Sequence, residues 1–147
     1  MSRVLLLAVA VLVAACAAIP TTAPTHVVEL DQNFNGEQFI LRVYDDSGLV
    51  TSAASAAAHE APQDAQAIAD PGRDEIALSW TGGACAHSPR LGVKGDATAL
   101  MLELDVSPLE FSLVPVDCPA IALRFDVTLT LSESVQQDAL TLTLLSR

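Results

Sequence analysis

Cys85, His87 and Ser88 lie almost side by side, and their side chains are of the types that attack carbonyls, move protons and bind metals. Cys85-Ala86-His87 offers a thiolate and an imidazole to a metal. Zinc needs three or four converging ligands, and the only other histidines, His26 and His59, bring no second pair at ligand spacing. His87-Ser88 offers a base beside a nucleophile. There is no G-x-S-x-G elbow, and neighbouring residues on a strand point to opposite faces, so adjacency does not give the contact that activation requires. Asp31-Gln32-Asn33-Phe34-Asn35-Gly36 matches the first half of a calcium loop. Its twelfth position is Arg42, where a bidentate Glu is needed, and both flanks read as strands. The hexapeptide is therefore expected to be a polar hairpin turn. The expectation is no catalytic residue, no metal and no cofactor. The candidate binding loop is Gly82 to Leu91, where glycines, Cys85 and Pro89 would set a path bearing His87 and Arg90.

The elements that would hold such a loop are strands. Phe39, Leu41 and Val43 alternate with Gln38, Arg42 and Tyr44, with Ile40 the apolar exception on the polar side. Asp45-Asp46-Ser47-Gly48 then reads as a turn, and Leu49 to Ser52 as a short partner strand. Ile76, Leu78 and Trp80 alternate with Ala77 and Ser79, and Leu100, Leu102, Leu104 and Val106 with Met101, Glu103 and Asp105. From Ile121 to Leu131 every odd position is apolar, and Leu140, Leu142 and Leu144 are separated by threonines. Period two repeated this often predicts antiparallel strands with one face buried. The predicted fold is all-β: an antiparallel β-sandwich of about seven strands, with Ig-like architecture. It is not a true immunoglobulin domain, since Trp80 precedes both Cys85 and Cys118 instead of lying between them. Residues 51–73 are rich in Ala, Ser, Gln and Asp and read as a mobile connection, with a short helix from Pro62 to Ala69 stopped at Asp70-Pro71-Gly72.

The first residues give an address. Met1-Ser2-Arg3 is followed by ten apolar residues from Val4 to Val13, the layout of a secretory signal and too short to span a bilayer. Val13-Ala14-Ala15-Cys16 then resembles the lipobox of bacterial lipoproteins. That resemblance implies cleavage before Cys16 and a diacylglycerol on its thiol. The other reading is an ordinary signal cut at Ala15-Cys16-Ala17, with Cys16 lost. Expected divisions are residues 1–15 as signal peptide, 16–26 as lipidated Cys and Pro/Thr/Ala tether, and 27–147 as one domain. At about 3.1 Å per residue, the tether holds the domain roughly 25–30 Å from the lipid. Ala17 after the Cys resembles lipoproteins sent to an outer membrane. Removing 15 of 147 residues leaves 132, with 18 acidic against 6 basic side chains, a formal charge of −12. Such a surface disfavours nucleic acid and electrostatic docking on anionic lipid, leaving the anchor at Cys16 as the membrane contact. Outside the cytoplasm, Cys85 and Cys118 are expected to pair, closing a 34-residue loop.

W-T-G-G-A-C from Trp80, D-C-P-A from Asp117, R-F-D-V-T-L-T-L from Arg124 and the stretch Phe34 to Val50 together resemble uncharacterised exported bacterial proteins, many with lipoboxes. The resemblance covers most of the chain after Cys16. It implies an extracytoplasmic β domain with one disulfide, and it brings neither an activity nor functional residues. The function expected is a non-catalytic cell-envelope lipoprotein that presents its domain to an envelope protein or ligand. Two alternatives stand beside it. One is an extracellular protease inhibitor using Ser88-Pro89-Arg90-Leu91, and the other is an exported hydrolase with an unrecognised site.

Overall fold

The computed structural model describes residues 26–34, 37–55, 64–83, 88–106 and 121–145. Nine strands occupy them: β1 (His26–Phe34), β2 (Glu37–Asp45), β3 (Val50–Ser55), β4 (Gln66–Asp70), β5 (Glu75–Gly83), β6 (Arg90–Asp96), β7 (Ala99–Asp105), β8 (Ala122–Leu131) and β9 (Leu140–Leu145). A single 3-10 turn, Gln137–Ala139, precedes β9. The strands form two sheets, one in the order β1-β2-β6-β7-β9 and one in the order β3-β8-β5-β4.

The apolar alternation sets the core as expected. Phe39, Leu41 and Val43 from β2, Leu91 and Val93 from β6, and Leu100, Leu102 and Leu104 from β7 face Ile76, Leu78 and Trp80 from β5 and Phe125, Val127 and Leu129 from β8. All are essentially buried, so the two sheets close on one another in a sandwich-like all-β fold. Phe125 is the hinge of the aromatic packing, with its ring centroid 5.3 Å from both Trp80 and Phe39. A Cβ at Gly82 would meet Phe125 Cε2 at 3.3 Å, so the glycine makes room for that ring. Toward the start of β8 the pattern fades, for Leu123 is half-buried and Ile121 exposed.

Strand count and direction differ from the expected seven antiparallel strands. The five-stranded sheet is mixed: β2 runs parallel to β6 and β7 parallel to β9. The period of a sequence gives faces but not directions, because either ladder buries the same alternate residues. Two strands escaped the pattern. β6 reads R-L-G-V-K-G-D and supplies only Leu91 and Val93 to the core. β4 reads Q-A-I-A-D and lies inside the stretch 51–73 expected as a mobile connection with a short helix. That stretch instead begins in β3 and continues through β4 and the β4–β5 turn, with residues 56–63 outside the described residues. Its alanines suit strands here because Ala53, Ala65 and Ala67 pack on the core as small inward residues.

Leu49 to Ser52 does not pair back onto β2. β3 pairs with β8, so the Asp45–Leu49 turn carries the chain from one sheet to the other. Asp45 organises that crossing. Its carboxylate accepts hydrogen bonds from the backbone N–H groups of Ser47 (3.0 Å), Gly48 (3.1 Å) and Val50 (2.8 Å), and from the Ser47 hydroxyl. Gly48 takes φ +72°, the left-handed conformation that the turn requires.

The open edges of the two sheets meet through side chains. On one side β1 bulges between Glu29 and Asn33, and the Asp31 N–H donates to Ser55 Oγ of β3 at 3.1 Å. His26 Nε2 lies 3.3 Å from the Val50 carbonyl, where only a protonated nitrogen can donate. On the other side, the Gln137 side chain lies along the edge of β4. Its Nε2 donates to the Ala67 carbonyl at 3.2 Å and its Oε1 accepts from the Ala69 N–H at 2.7 Å. One side-chain amide thus stands in for a residue of a neighbouring strand. It blunts an edge that would otherwise template pairing with another chain. Gln137→Ala is expected to cost about 1–2 kcal/mol, the worth of two exposed hydrogen bonds. It should also promote self-association, which thermal melting and light scattering after size exclusion would measure together. An unchanged melt with unchanged mass would show the amide to be idle.

Candidate functional site

The candidate side chains fall in different places. Cys85 and His87 of the expected binding loop, His59, Cys118 and the anchor at Cys16 lie outside the described residues. Arg90 does not sit on a loop. It is the first residue of β6, in the interior of the five-stranded sheet, with β2 on one side and β7 on the other. A loop that inhibits a protease offers its own backbone to the enzyme. Arg90 and Leu91 are in register with β2 and β7 on their two sides, and the Leu91 side chain is fully buried. His26, the last residue of the expected tether, is the first residue of β1 and is half-buried at the seam between the sheets. Of the half-match to a calcium loop, expected as a turn, Asp31 to Phe34 lie on β1, with Phe34 paired to Glu37 and Asn33 to Gln38, while Asn35 and Gly36 lie outside the described residues.

What the fold does bring together is a face. On the five-stranded sheet, residues that alternate with the core point outward, and the ladders align them in rows. One row runs Val27, Arg42, Arg90, Asp105 and Leu145 across all five strands. The next outward row holds Tyr44, Gly92, Glu103 and Thr143, and the one after it Lys94, Met101 and Thr141. Three of the large apolar side chains most exposed on the described surface are here, Val27 (60%), Met101 (41%) and Leu145 (41%). So are three of the five described cations, Arg42, Arg90 and Lys94.

The cations differ in what they touch. Lys94 Nζ donates to Glu103 Oε2 at 2.6 Å, and that hydrogen bond, with the carboxylate's charge, holds the ammonium above its ordinary pKa. On the opposite sheet, Arg124 makes a bidentate pair with Asp126, and Arg73 approaches Asp70 at 3.7 Å. Arg42 and Arg90 stand in register on parallel neighbours, on the same face, with no carboxylate within 4.0 Å of either among the described residues. Like charges directly across a ladder destabilise it by several tenths of a kcal/mol. An oxyanion between the two guanidinium groups would reverse the sign, since each presents a planar fork suited to phosphate or carboxylate.

The sequence singles out Arg90 as part of a loop and gives no reason to join it to Arg42, which is far from it in the chain. Nothing in a single sequence marks two strands as parallel neighbours. Among the described residues no three His, Cys, Asp or Glu side chains converge as metal ligands. No family model, no curated protein and no solved structure matches this chain.

Proposed function

We propose that this protein is a non-catalytic lipoprotein of the bacterial cell envelope, held by a lipid on Cys16. In this reading it offers the outer face of its five-stranded sheet to an anionic partner. The observation that carries the binding half is the Arg42–Arg90 pair, in register on parallel neighbouring strands and with no carboxylate within 4.0 Å among the described residues, in a chain of formal charge −11. The address rests on the signal-like start and Val13-Ala14-Ala15-Cys16. A disulfide between Cys85 and Cys118 belongs to the same reading. Gly83 pairs with Ala122, and the two cysteines follow and precede these residues by only a few positions. The sandwich with its inter-sheet crossings then resembles an Ig-like architecture stapled at one end.

A fatty-acid probe supplied to the growing host is expected to label the wild type and leave Cys16→Ser unlabelled. The mature N-terminus should be Cys16, blocked by the lipid. Equal labelling of both proteins, or a mature chain starting elsewhere, would overturn the anchor.

A further inference from the structure

We propose that Arg42 and Arg90 bind phosphate groups of the phospholipid bilayer that holds the anchor, so that the domain lies with the outer face of its five-stranded sheet against the membrane. This rests on the anchor proposed at Cys16.

Three observations point this way. First, the arginine row is next to the tether. Val27, the second residue of β1, pairs with Arg42, and Arg42 pairs with Arg90. Only nine residues separate Cys16 from His26, which at about 3.1 Å each keep this face within roughly 30 Å of the lipid. Confinement over such a distance gives headgroup phosphates a high effective concentration, so a weak contact is enough. Second, the face has the chemistry of an interface. Exposed Val27, Met101 and Leu145 and half-buried Ile40 and Tyr44 lie among the arginines, and long cationic side chains with aromatic hydroxyls suit the boundary between lipid and water. Third, this face is not strongly acidic. Arg42, Arg90 and Lys94 stand with Glu29, Asp46, Glu103 and Asp105, and Asp46 is close enough to act on the charge of Lys94. Asp70, Glu75 and Asp126 belong to the other sheet, and salt screens charge within about 8 Å. The net charge of the sequence argues against membrane docking, yet the arginine row meets far less of that repulsion than the chain total implies. Phosphodiesters occur on zwitterionic and anionic phospholipids alike, so the contact needs no excess of anionic lipid.

Trp80, the chain's only tryptophan, is buried between the sheets and reports the distance of the whole domain from the bilayer. The acylated full-length protein, reconstituted in phosphatidylethanolamine–phosphatidylglycerol vesicles bearing a dansylated headgroup, is expected to show strong energy transfer from Trp80. Arg42→Gln with Arg90→Gln should lower that transfer, as should about 0.5 M salt. Arg73→Gln, on the β4–β5 turn, should leave it unchanged. Removing the two like charges that face each other across a ladder, half-buried Arg42 and exposed Arg90, should not lower the melting temperature, which keeps the variant interpretable. In parallel, modification of Arg42 and Arg90 by phenylglyoxal should slow about fivefold on vesicles relative to maltoside micelles. Equal energy transfer in wild type and double variant overturns the inference. Protection of the two arginines by polyglutamate but not by vesicles also overturns it, and assigns the pair to an acidic protein. Protein that fails to float with the vesicles shows the anchor itself to be absent, and the docking falls with it.

Discussion

Gly95→Ala is expected to destabilise the domain by roughly 3–4 kcal/mol, although it adds one methyl group to a surface hairpin. Gly95 lies at the end of β6 with φ +99°, where an L side chain meets its own backbone. The surrounding space adds a second penalty. A Cβ here would sit 2.1 Å from the Ala99 carbonyl oxygen and 3.2 Å from its carbon. Those atoms belong to the paired strand β7, so they cannot rotate away as a flexible side chain would. The register Gly95↔Leu100 and Asp96↔Ala99 would have to open. Asp96 works against that opening. Its carboxylate accepts from the Thr98 N–H at 2.8 Å, the Thr98 hydroxyl and the Ala99 N–H at 3.2 Å. These bonds, the Thr98 hydroxyl first, hold its pKa below the ordinary value. The turn's contribution is therefore complete above the unfolded aspartate pKa and fades as pH falls through the lowered folded value. Gly48 provides the control. It has φ +72°, but nothing lies within 4 Å of a Cβ there. Gly48→Ala should cost only about 1 kcal/mol, for the backbone alone. Chemical denaturation of both variants separates the two causes. Equal losses at the two sites would mean that the overlap with Ala99 relaxes freely.

Loss of the proposed Cys85–Cys118 bridge is expected to cost about 3.5–4 kcal/mol, from the entropy that a 34-residue loop regains in the unfolded chain. Folded proteins of this size hold together by about 5–15 kcal/mol, so the bridge would decide whether the domain survives heating. Its location gives the prediction structural content. The β5–β8 pairing runs from Glu75↔Thr130 to Gly83↔Ala122, with a Cys a few residues beyond each partner at that last rung. The same ladder carries Trp80 and Phe125 in register, so a bridge at its end would hold the aromatic packing against fraying. Mass spectrometry of the non-reduced protein should find the two cysteines in one linked peptide. Reduction should lower the melting temperature by at least about 10 °C. Two freely alkylated thiols in protein kept under oxidising conditions would defeat the proposal.

The two glycines and two cysteines differ in how much of their role the sequence shows. Asp45-Asp46-Ser47-Gly48 reads directly as a turn with a positive-φ glycine, and the structure has one there. Gly95 carries no such mark, because its constraint comes from the backbone of Ala99 folding back against it. Cys85 and Cys118 are proposed as a pair from their number and expected compartment, while the Gly83↔Ala122 rung between their flanking segments is visible only in the ladder.

The sequence by itself determined which residues point inward. Phe39, Leu41 and Val43, Ile76, Leu78 and Trp80, and the odd positions from Phe125 to Leu131 are core because a strand's side chains alternate and apolar ones leave water. That local rule needs no knowledge of neighbours. The tertiary structure alone decided which strands are neighbours and in which direction they run. Backbone hydrogen bonds are the same for every residue, so partners are chosen by the fit of whole faces in three dimensions and leave no motif in the chain. This is why β3 pairs with β8 instead of β2, and why the weakly patterned β4 and β6 have places at all. It is also why Arg42 and Arg90, which lie 48 positions apart in the chain, stand together on one face of an acidic protein.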